Sequence, residues 1–504
     1  MPISNMSRAR LLTMALLGSV IASSAARAQA VIDKAGDFIP SYTGPKNADL
    51  DVIAAKASYN GTIFRLDATT AGPIGQTAGG VYVWGFNRGA GTARFGAIAP
   101  NVTFDSVIII DPKGTVTVRD LVTGAATVLP TGSVTVSGNT ISVSVPANLL
   151  SSQGLKTAQF LANLWPRSGL VGNETISDFA PDNTDTRLVL DFPLPVEASA
   201  QTELVIDGAS EHFNQVQGRL SARRDGDAQR YGGFISAGAR FGDHGLGDST
   251  IGDQDTSILS AGVDYAFTPN LVLGLALSAD QADVDLASGG KLKVKSYSPA
   301  AYAAWNSGAF HLDGYAAYTT VDYDARRNLR IGGATLSATA DPDGKAYTGA
   351  IGAGYRLGSG AFTFGPIADL VATRVKVDGY VETNAQDFGS TLQSRDRDSV
   401  RLGLGVSGRY AMEKAWGVMV LTGKARAVQE LADKRDIFRA AFSAQPDAPF
   451  DVRGPKTGVT YGAFDLGLTA VTKAGLRIGV TYAPRLDGDG LVDQSALLSI
   501  AKSF

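Results

Sequence analysis

The sequence contains no cysteine and only three histidines among its 504 residues. Without cysteine, the protein can form neither disulfide bonds nor thiolate metal sites. The histidines are His212, His244 and His311, so residues 31–195 contain none. A Ser-His-Asp or Cys-His site therefore cannot be assembled within that region. Lys+Arg (45) and Asp+Glu (48) nearly balance, which gives no sign of a nucleic-acid-binding surface.

Long apolar runs are scarce, and the most prominent one lies at the N-terminus. Two arginines precede the apolar run Leu11–Ile21, and small residues follow it in Ala26–Ala30. This order is typical of a secretory signal peptide over residues 1–30, with cleavage after Ala28 or Ala30. A transmembrane anchor is the weaker alternative, because an anchor needs about 18–20 apolar residues. No later segment reaches that length, so any membrane crossing by this chain has to use strands.

The C-terminal half has a regular alternation of apolar and polar residues. In Val400–Tyr410, even positions are mostly apolar, whereas odd positions are Arg, Gly or Ser. The segments Leu259–Phe267 and Leu476–Tyr482 repeat this pattern. A period of two indicates strands with one apolar face. A soluble sandwich would give the same alternation, so the number of strands and the loop lengths have to decide between the two.

From residue 229 onward the sequence predicts twelve strands, whose connections alternate between tight turns and longer loops. The strands lie near residues 229–241, 256–267, 270–285, 293–305, 309–325, 345–357, 361–382, 398–411, 415–429, 458–472, 476–485 and 494–504. Every second connection is a turn of two or three residues. The others are longer and polar, including Gly242–Asp255, Arg326–Gly344 and Glu430–Thr457. Short turns at one end and long loops at the other predict an outer-membrane β-barrel.

The chain ends in an apolar strand, which closure of such a barrel explains. Leu498, Ile500 and the terminal Phe504 share one parity of the last predicted strand. In lipid every backbone N–H and C=O must be paired, so the last strand has to bond to the first. We therefore predict that these three side chains face lipid, with Phe504 in the aromatic girdle. We also predict that they act as the barrel-assembly signal.

A helix is predicted within residues 196–228, between the N-terminal region and the barrel. Glu197–Arg223 contains no proline and is rich in Ala, Glu, Gln, Leu and Arg. Twelve strands enclose enough space for one helix, so we expect it in the lumen. Three helix arginines could then meet carboxylates of the wall, namely Arg219, Arg223 and Arg224 with Asp264 and Asp465. A solvated linker helix in the periplasm is the alternative.

These features together resemble the autotransporter family, the type V secretion proteins of Gram-negative bacteria. Within residues 197–504, the similar stretches are Ala261–Tyr265, Gly352–Arg356 followed by Gly365-Pro366, and Asp378–Glu382. The resemblance implies that residues 229–504 are a translocator barrel, which inserts into outer-membrane lipid with the help of the barrel-assembly machinery. It also implies that the helix plugs the pore, and that the N-terminal region, the passenger, reaches the cell surface.

The predicted passenger, residues 31–195, is rich in β-formers and turns and has no repeat at a fixed period. This argues against a β-helix and favours a compact β-sandwich. Six aspartates could supply oxygen ligands to calcium: Asp37, Asp49, Asp51, Asp105, Asp178 and Asp182. They lack the spacing of a defined calcium loop, so we interpret them as solvated turn carboxylates. Four aromatics could form a sugar-binding platform, although core positions are the simpler interpretation: Tyr42, Tyr82, Trp84 and Trp165.

The sequence thus predicts an all-β fold, a 12-stranded transmembrane barrel with a pore helix after a sandwich-like passenger. The predicted function is non-enzymatic display of that passenger for surface binding or adhesion. No catalytic residue, cofactor or metal is predicted. The expected partners are outer-membrane lipid, the barrel-assembly machinery and an unidentified surface ligand, without nucleic acid.

Two alternatives stay open. One is a surface hydrolase with an unrecognised active site, and the other is an outer-membrane pore or structural barrel with a periplasmic N-terminal domain. Some autotransporters carry a lipase of the Gly-Asp-Ser-Leu type. The similar string here, Gly247–Thr250, lies in the first long loop and is more simply a turn.

Overall fold

The computed structural model describes residues 30–225, 229–244, 252–432, 435–456, 460–487 and 490–504. The predicted signal peptide, apart from Ala30, and the string Gly247–Thr250 therefore lie outside the described residues. Among the residues that are described, no helix combines the length and the apolar character needed to cross a membrane.

Twelve antiparallel strands close into one barrel, as predicted. They are Tyr231–His244, Gly252–Thr268, Leu271–Leu286, Lys291–Ser307, Phe310–Ile331, Asp343–Tyr355, Phe362–Val377, Arg395–Lys414, Gly417–Glu430, Tyr461–Thr472, Arg477–Asp487 and Gly490–Ser503. The first strand pairs with the last, from Gly232 opposite Ser503 to Gly242 opposite Asp493. The wall formed by these twelve strands is therefore closed, which is what a barrel in lipid requires.

The two faces of the barrel wall differ in chemistry because successive side chains point to opposite faces. Along Lys291–Ser307, exposed and buried residues alternate over most of the strand. The outward Val263 and Leu275 are each 63 % exposed, whereas the inward Asp264 and Arg401 are buried. An apolar outer face and a polar lumen suit a barrel that is surrounded by lipid.

One α-helix, Ala200–Arg224, runs through the lumen after the 3-10 turn Val196–Ser199. The prediction of a pore helix is confirmed, and the alternative of a solvated linker is wrong. Glycines in the wall allow the close approach. A Cβ atom at Gly232 would collide with Nη2 of Arg219, and one at Gly352 would collide with Nε2 of Gln217.

The N-terminal domain consists of two β-sheets packed face to face. One sheet contains Val31–Ile32, Val52–Tyr59, Ile63–Thr70, Val134–Ser137, Thr140–Pro146 and Val189–Leu190. The other contains Val81–Asn87, Ser106–Ile110, Val116–Asp120, Ala126–Val128, Leu161–Arg167 and Thr186–Arg187. A ribbon pairs Thr92–Ala93 with Thr103–Phe104, and short 3-10 turns occur at Ala48–Leu50, Ala147–Leu149, Thr157–Gln159 and Asn173–Thr175. Apolar residues of both sheets share one core.

The aromatic residues considered for sugar binding belong to the interior of this domain. Tyr42, Tyr82, Trp84 and Trp165 are all buried. Trp165 contacts the ring of Phe95 in an edge-on arrangement, with centroids 4.9 Å apart. Their interpretation as core residues is confirmed.

The long loops of the barrel contain a second, smaller sheet, which we call the loop sheet. It comprises Tyr380–Val381, Ser390–Leu392, Arg435–Phe442 and Phe450–Lys456, next to the 3-10 turn Gln386–Phe388. In addition, Phe310–Ile331 continues into a hairpin with Ala334–Ala340. The prediction of polar loops over 326–344 and 430–457 is wrong in this respect. The first contains this hairpin, in which Leu329 and Ala338 are buried. In the second, Phe438, Ala440 and Phe442 form a buried apolar face.

Candidate functional sites in the lumen and the N-terminal domain

The first half of the lumen helix is acidic and faces arginines of the barrel wall. Glu203 accepts from Arg397 at 2.5 Å and from Arg401 at 2.8 Å. Asp207 accepts from Arg401 at 2.5 Å and from Arg485 at 2.8 Å. All five side chains are mostly buried, so water and salt weaken the attraction between these charges less than they would at the surface.

The second half of the helix is basic and faces carboxylates of the wall. The guanidinium groups of Arg219 and Arg223 lie 2.7 and 2.9 Å from the Asp264 carboxylate, as predicted. Arg224 pairs at 2.6 Å with Asp313, which the sequence did not indicate. The predicted role of Asp465 is wrong, because this carboxylate pairs with Arg426 of the wall, 2.8 Å away.

The order of charge along the helix agrees with its macrodipole. Acidic residues stabilise the positive N-terminal end of a helix, and basic residues stabilise the negative C-terminal end. The N-terminal end lies near the long loops, where the Thr202 hydroxyl is 3.2 Å from Asp436 of the loop sheet. At the other end, Arg223 donates to the backbone carbonyl of Gln229 at 2.8 Å. The helix therefore has one orientation in the lumen, with its N-terminal end at the long loops and its C-terminal end at the tight turns of the barrel.

The N-terminal domain and the loop sheet share one hydrophobic core. The centroid of the Phe192 ring lies 5.1 Å from that of Phe442 and 4.7 Å from that of Phe388. Phe438 and Phe450 of the loop sheet belong to the same buried cluster. The domain is therefore seated on the long-loop end of the barrel.

Polar contacts surround this shared core. The side-chain amide of Gln445 donates to the carbonyl oxygens of Ala158 and Leu188, at 3.0 and 2.9 Å. At its rim, Lys156 pairs with Asp387 and Arg187 pairs with Asp447, but these pairs are more exposed. Exposed ion pairs contribute little, so the buried rings and the Gln445 amide provide most of the attachment.

Five aspartates of the N-terminal domain gather into what we call the acidic cluster: Asp33, Asp37, Asp51, Asp178 and Asp182. Ligand oxygens of Asp37, Asp51 and Asp178 lie within 4.8 Å of one another, and so do those of Asp33, Asp178 and Asp182. Asp33 was not among the six predicted candidates. Asp49 and Asp105 lie elsewhere, paired with Thr77 at 2.7 Å and with Arg88 at 2.6 Å.

The interpretation of these aspartates as solvated turn residues is wrong for four of the six, since Asp49, Asp51, Asp105 and Asp178 are buried. Burial raises the pKa of Asp178 to about 8, and the charges of Asp33 and Asp37 add to this effect. Burial likewise raises the pKa of Asp33 to about 6. The electrostatic potential in the acidic cluster therefore favours bound positive charge.

The residues predicted as the assembly signal lie on the outer face of the closing strand. Leu498, Ile500 and Phe504 are all exposed on the side that faces lipid. The backbones of Phe504 and Tyr231 exchange two hydrogen bonds, of 2.9 and 3.1 Å, and their rings stack with centroids 6.4 Å apart. The role of these residues in assembly stays a prediction.

A closed 12-stranded barrel with an apolar outer face, a helix in its lumen and a domain on its long loops defines an outer-membrane export protein. The family model described as "Autotransporter beta-domain" matches residues 228–483. The chain belongs to the autotransporter family. Its barrel lies in the bacterial outer membrane, and its N-terminal domain lies at the cell surface.

Curated relatives include "Esterase EstA" of Pseudomonas aeruginosa, 25% identical over 258 residues, which cover 48% of this chain and 39% of the relative. An "Uncharacterized protein in trpE-trpG intergenic region" of Pseudomonas putida is 29% identical over 167 residues, 31% of this chain and 27% of the relative. The chain thus spans about two fifths or less of the length of these relatives.

Solved structures with similarity include the translocator domain of the autotransporter NalP from Neisseria meningitidis. It is 16% identical with a TM-score of 0.48, and the match covers 62% of this chain and all of that one. The transport unit of the autotransporter AIDA-I from Escherichia coli is 16% identical with a TM-score of 0.39, covering 56% of this chain and 92% of that one.

Proposed function

We propose that this autotransporter keeps its N-terminal sandwich permanently attached and uses it, without catalysis, to bind a ligand at the cell surface. The observation that carries the proposal is the core shared between the sandwich and the loop sheet. A passenger destined for release would not need part of its core to come from the barrel. Removing the loop sheet would expose the rings of Phe192 and its neighbours to water, at the usual cost of apolar exposure.

The buried helix supports permanent attachment as well. It joins the domain to the barrel through the lumen, and its charges are paired along its length. Release would require cleavage near Val196–Ser199 and separation of the shared core. A domain that stays attached to the cell is suited to adhesion, because a ligand that it binds is then held at the cell surface.

Binding is favoured over catalysis because residues 31–195 contain no histidine and no cysteine. The described histidine side chains lie in the barrel, where Nε2 of His212 is 2.9 Å from Asp280. Esterase activity is the second candidate, and its support is the similarity to relatives named "Esterase EstA". Those matches cover only 39% of the relative, so they do not assign the activity to this chain.

The attachment can be tested on intact cells that express the full chain. Antibody against residues 31–195 should label these cells, and the barrel and the domain should remain one polypeptide in the outer-membrane fraction. Release of an N-terminal fragment into the medium would contradict permanent attachment. Protection of the domain from protease until the outer membrane is breached would contradict surface display.

The choice between binding and esterase activity needs a second experiment. Cells with the full chain and cells with the barrel alone should differ in adhesion to glycan or protein surfaces, and hydrolyse p-nitrophenyl esters equally slowly. Faster hydrolysis by cells with the full chain would favour an esterase in the N-terminal domain instead. Hydrolysis by either kind of cell that is lost in Ser249→Ala would favour an esterase site in the barrel loop.

A further inference from the structure

We propose that the acidic cluster of the N-terminal domain is a calcium site, with Asp37, Asp51 and Asp178 as its inner ligands. This inference does not depend on the proposed adhesive function. It rests on three observations: the spacing of the carboxylates, buried carboxylate oxygens without hydrogen-bond partners, and the lack of ion pairs to these aspartates among the described residues.

The spacing fits calcium. Oxygens bound to one Ca²⁺ at about 2.3–2.6 Å lie at most about 5 Å apart. The three inner ligand oxygens already lie within 4.8 Å of one another. Mg²⁺ demands near-ideal octahedral geometry and keeps several of its waters, whereas Ca²⁺ accepts six to eight oxygen ligands. A cluster of five carboxylates therefore favours Ca²⁺.

Asp51 provides the strongest indication of a cation-binding site. Its side chain is 5 % exposed, and one carboxylate oxygen accepts from the backbone N–H of Gly36 at 2.8 Å. The other oxygen, Oδ1, is buried and has no hydrogen-bond partner in the described part of the chain. Oδ2 of Asp33 and Oδ1 of Asp37 are likewise buried and have no hydrogen-bond partner in the described part of the chain. Buried acceptors normally have partners, so three such oxygens in one cluster point to a cation as their common partner.

The buried aspartates outside the cluster serve as an internal comparison. Asp105 meets the guanidinium of Arg88 at 2.6 Å, and Asp49 accepts from the backbone N–H and hydroxyl of Thr77. No ion pair found among the described residues involves a member of the acidic cluster. Several close carboxylates without a cation repel one another, and a bound divalent ion removes that repulsion.

The cluster offers oxygen ligands alone, because residues 31–195 contain neither histidine nor cysteine. Such a ligand set suits calcium rather than zinc or copper. Both oxygens of Asp178 are oriented by backbone donors, the N–H groups of Val52 and Phe179, each at 2.8 Å. Asp182 is exposed and leaves a path for the ion and its water ligands.

A bound ion would connect three segments that are distant in sequence. Asp33 and Asp37 follow the strand Val31–Ile32, Asp51 precedes the strand Val52–Tyr59, and Asp178 and Asp182 follow the strand Leu161–Arg167. Calcium would thus fasten the beginning of the passenger to the edge of the sandwich.

The test uses full-length protein in detergent, first stripped with EGTA. Calorimetric titration should show Ca²⁺ binding, and millimolar Ca²⁺ should raise the unfolding temperature of the N-terminal domain and slow proteolysis near residue 40. Mg²⁺ should have a much smaller effect. Asp51→Asn should weaken Ca²⁺ binding at least about 100-fold, because affinity follows the charge of the ligands. Asp111→Asn, in a half-buried turn outside the cluster, should bind Ca²⁺ like the wild type.

Because Asp51→Asn could impair folding, the exposed Asp182→Asn provides a second variant, with an expected loss of about 5- to 10-fold. Wild-type protein that binds no Ca²⁺ and unfolds at the same temperature with and without EGTA would overturn the proposal. That result would mean that protonation of its carboxyl groups, and not a bound cation, neutralises the cluster. Equal responses to Mg²⁺ and Ca²⁺ would overturn the choice of ion.

Discussion

The barrel and the N-terminal domain are both built from alternating strands, but they distribute polarity in opposite ways. The domain buries aromatic rings such as Phe64 and Trp165 and exposes polar side chains such as that of Arg65. The barrel buries ion pairs such as Arg401–Asp207 and exposes Leu275. The same periodicity thus serves two solvents, because water surrounds the domain and lipid surrounds the barrel. The side of a strand that is apolar is set by the surroundings of the sheet.

The largest effect is expected where the barrel meets lipid at its closing strand. Phe504→Asp should strongly reduce assembly, because a charge would replace an aromatic ring on the lipid face. The measurement is the amount of heat-modifiable, folded barrel in outer membranes. Phe504→Tyr keeps the ring and should assemble normally. Normal levels of folded Phe504→Asp barrel would contradict the role of this residue.

A second test addresses the boundary between the two regions. Phe438 is 3 % exposed in the shared core, whereas its neighbour Ile437 is 56 % exposed on the opposite face of the same strand. Phe438→Ser should lower the unfolding free energy of the N-terminal domain by about 3–5 kcal/mol. Ile437→Ser should change it by less than about 0.5 kcal/mol.

The readout is protease sensitivity of residues 31–195 on intact cells, together with urea unfolding of the purified protein. The barrel itself should stay heat-modifiable in both variants. If the two variants behave alike, the loop sheet does not hold the domain.

A third test breaks the polar interior of the barrel. Asp207→Ala leaves the guanidinium groups of Arg401 and Arg485 without this partner, and loss of one member of a buried pair costs about 3–5 kcal/mol. We expect a lower unfolding temperature and more frequent opening of the pore in planar bilayers. A variant with wild-type conductance and stability would show that the helix is held by packing alone.

The smallest effect is expected for an ion pair outside the lumen. Arg374 and Asp398 lie 2.6 Å apart, but their side chains are 60% and 44% exposed. Asp398→Ala should change the unfolding free energy by no more than about 1 kcal/mol, and less at high salt. Urea unfolding at two salt concentrations measures this. A loss as large as that of Asp207→Ala would mean that burial does not set the strength of these pairs.

The barrel could be predicted from the sequence because its signal is local. The alternation in segments such as Val400–Tyr410 and the sorting of loop lengths are visible within a few residues. The contact of Arg219 with Asp264 also followed from the expected helix position. Asp465 was assigned wrongly, because the competing Arg426 is brought beside it only by the registry of the wall.

The acidic cluster and the loop sheet depend on tertiary contacts. Four of the five cluster aspartates were considered as calcium ligands but interpreted as solvated, and the loop sheet was not predicted. The acidic cluster joins aspartates such as Asp51 and Asp178, which are far apart in sequence. The loop sheet did leave a local signal, the apolar alternation of Phe438, Ala440 and Phe442. This alternation was not interpreted as a strand, because residues 430–457 are long and polar for a loop segment and strands were expected only in the barrel wall.

The shared core has a kinetic consequence. The amide of Gln445 reaches the carbonyl of Ala158, 287 residues earlier in the chain. Folds that depend on such distant contacts have high contact order and form slowly, since the long loop must close before its contacts stabilise it. The sandwich is synthesised first, yet it obtains part of its interior from a segment that is made almost last. Its completion therefore has to wait for the loop sheet, so the last part of the passenger core to form is the part that attaches the passenger to the barrel.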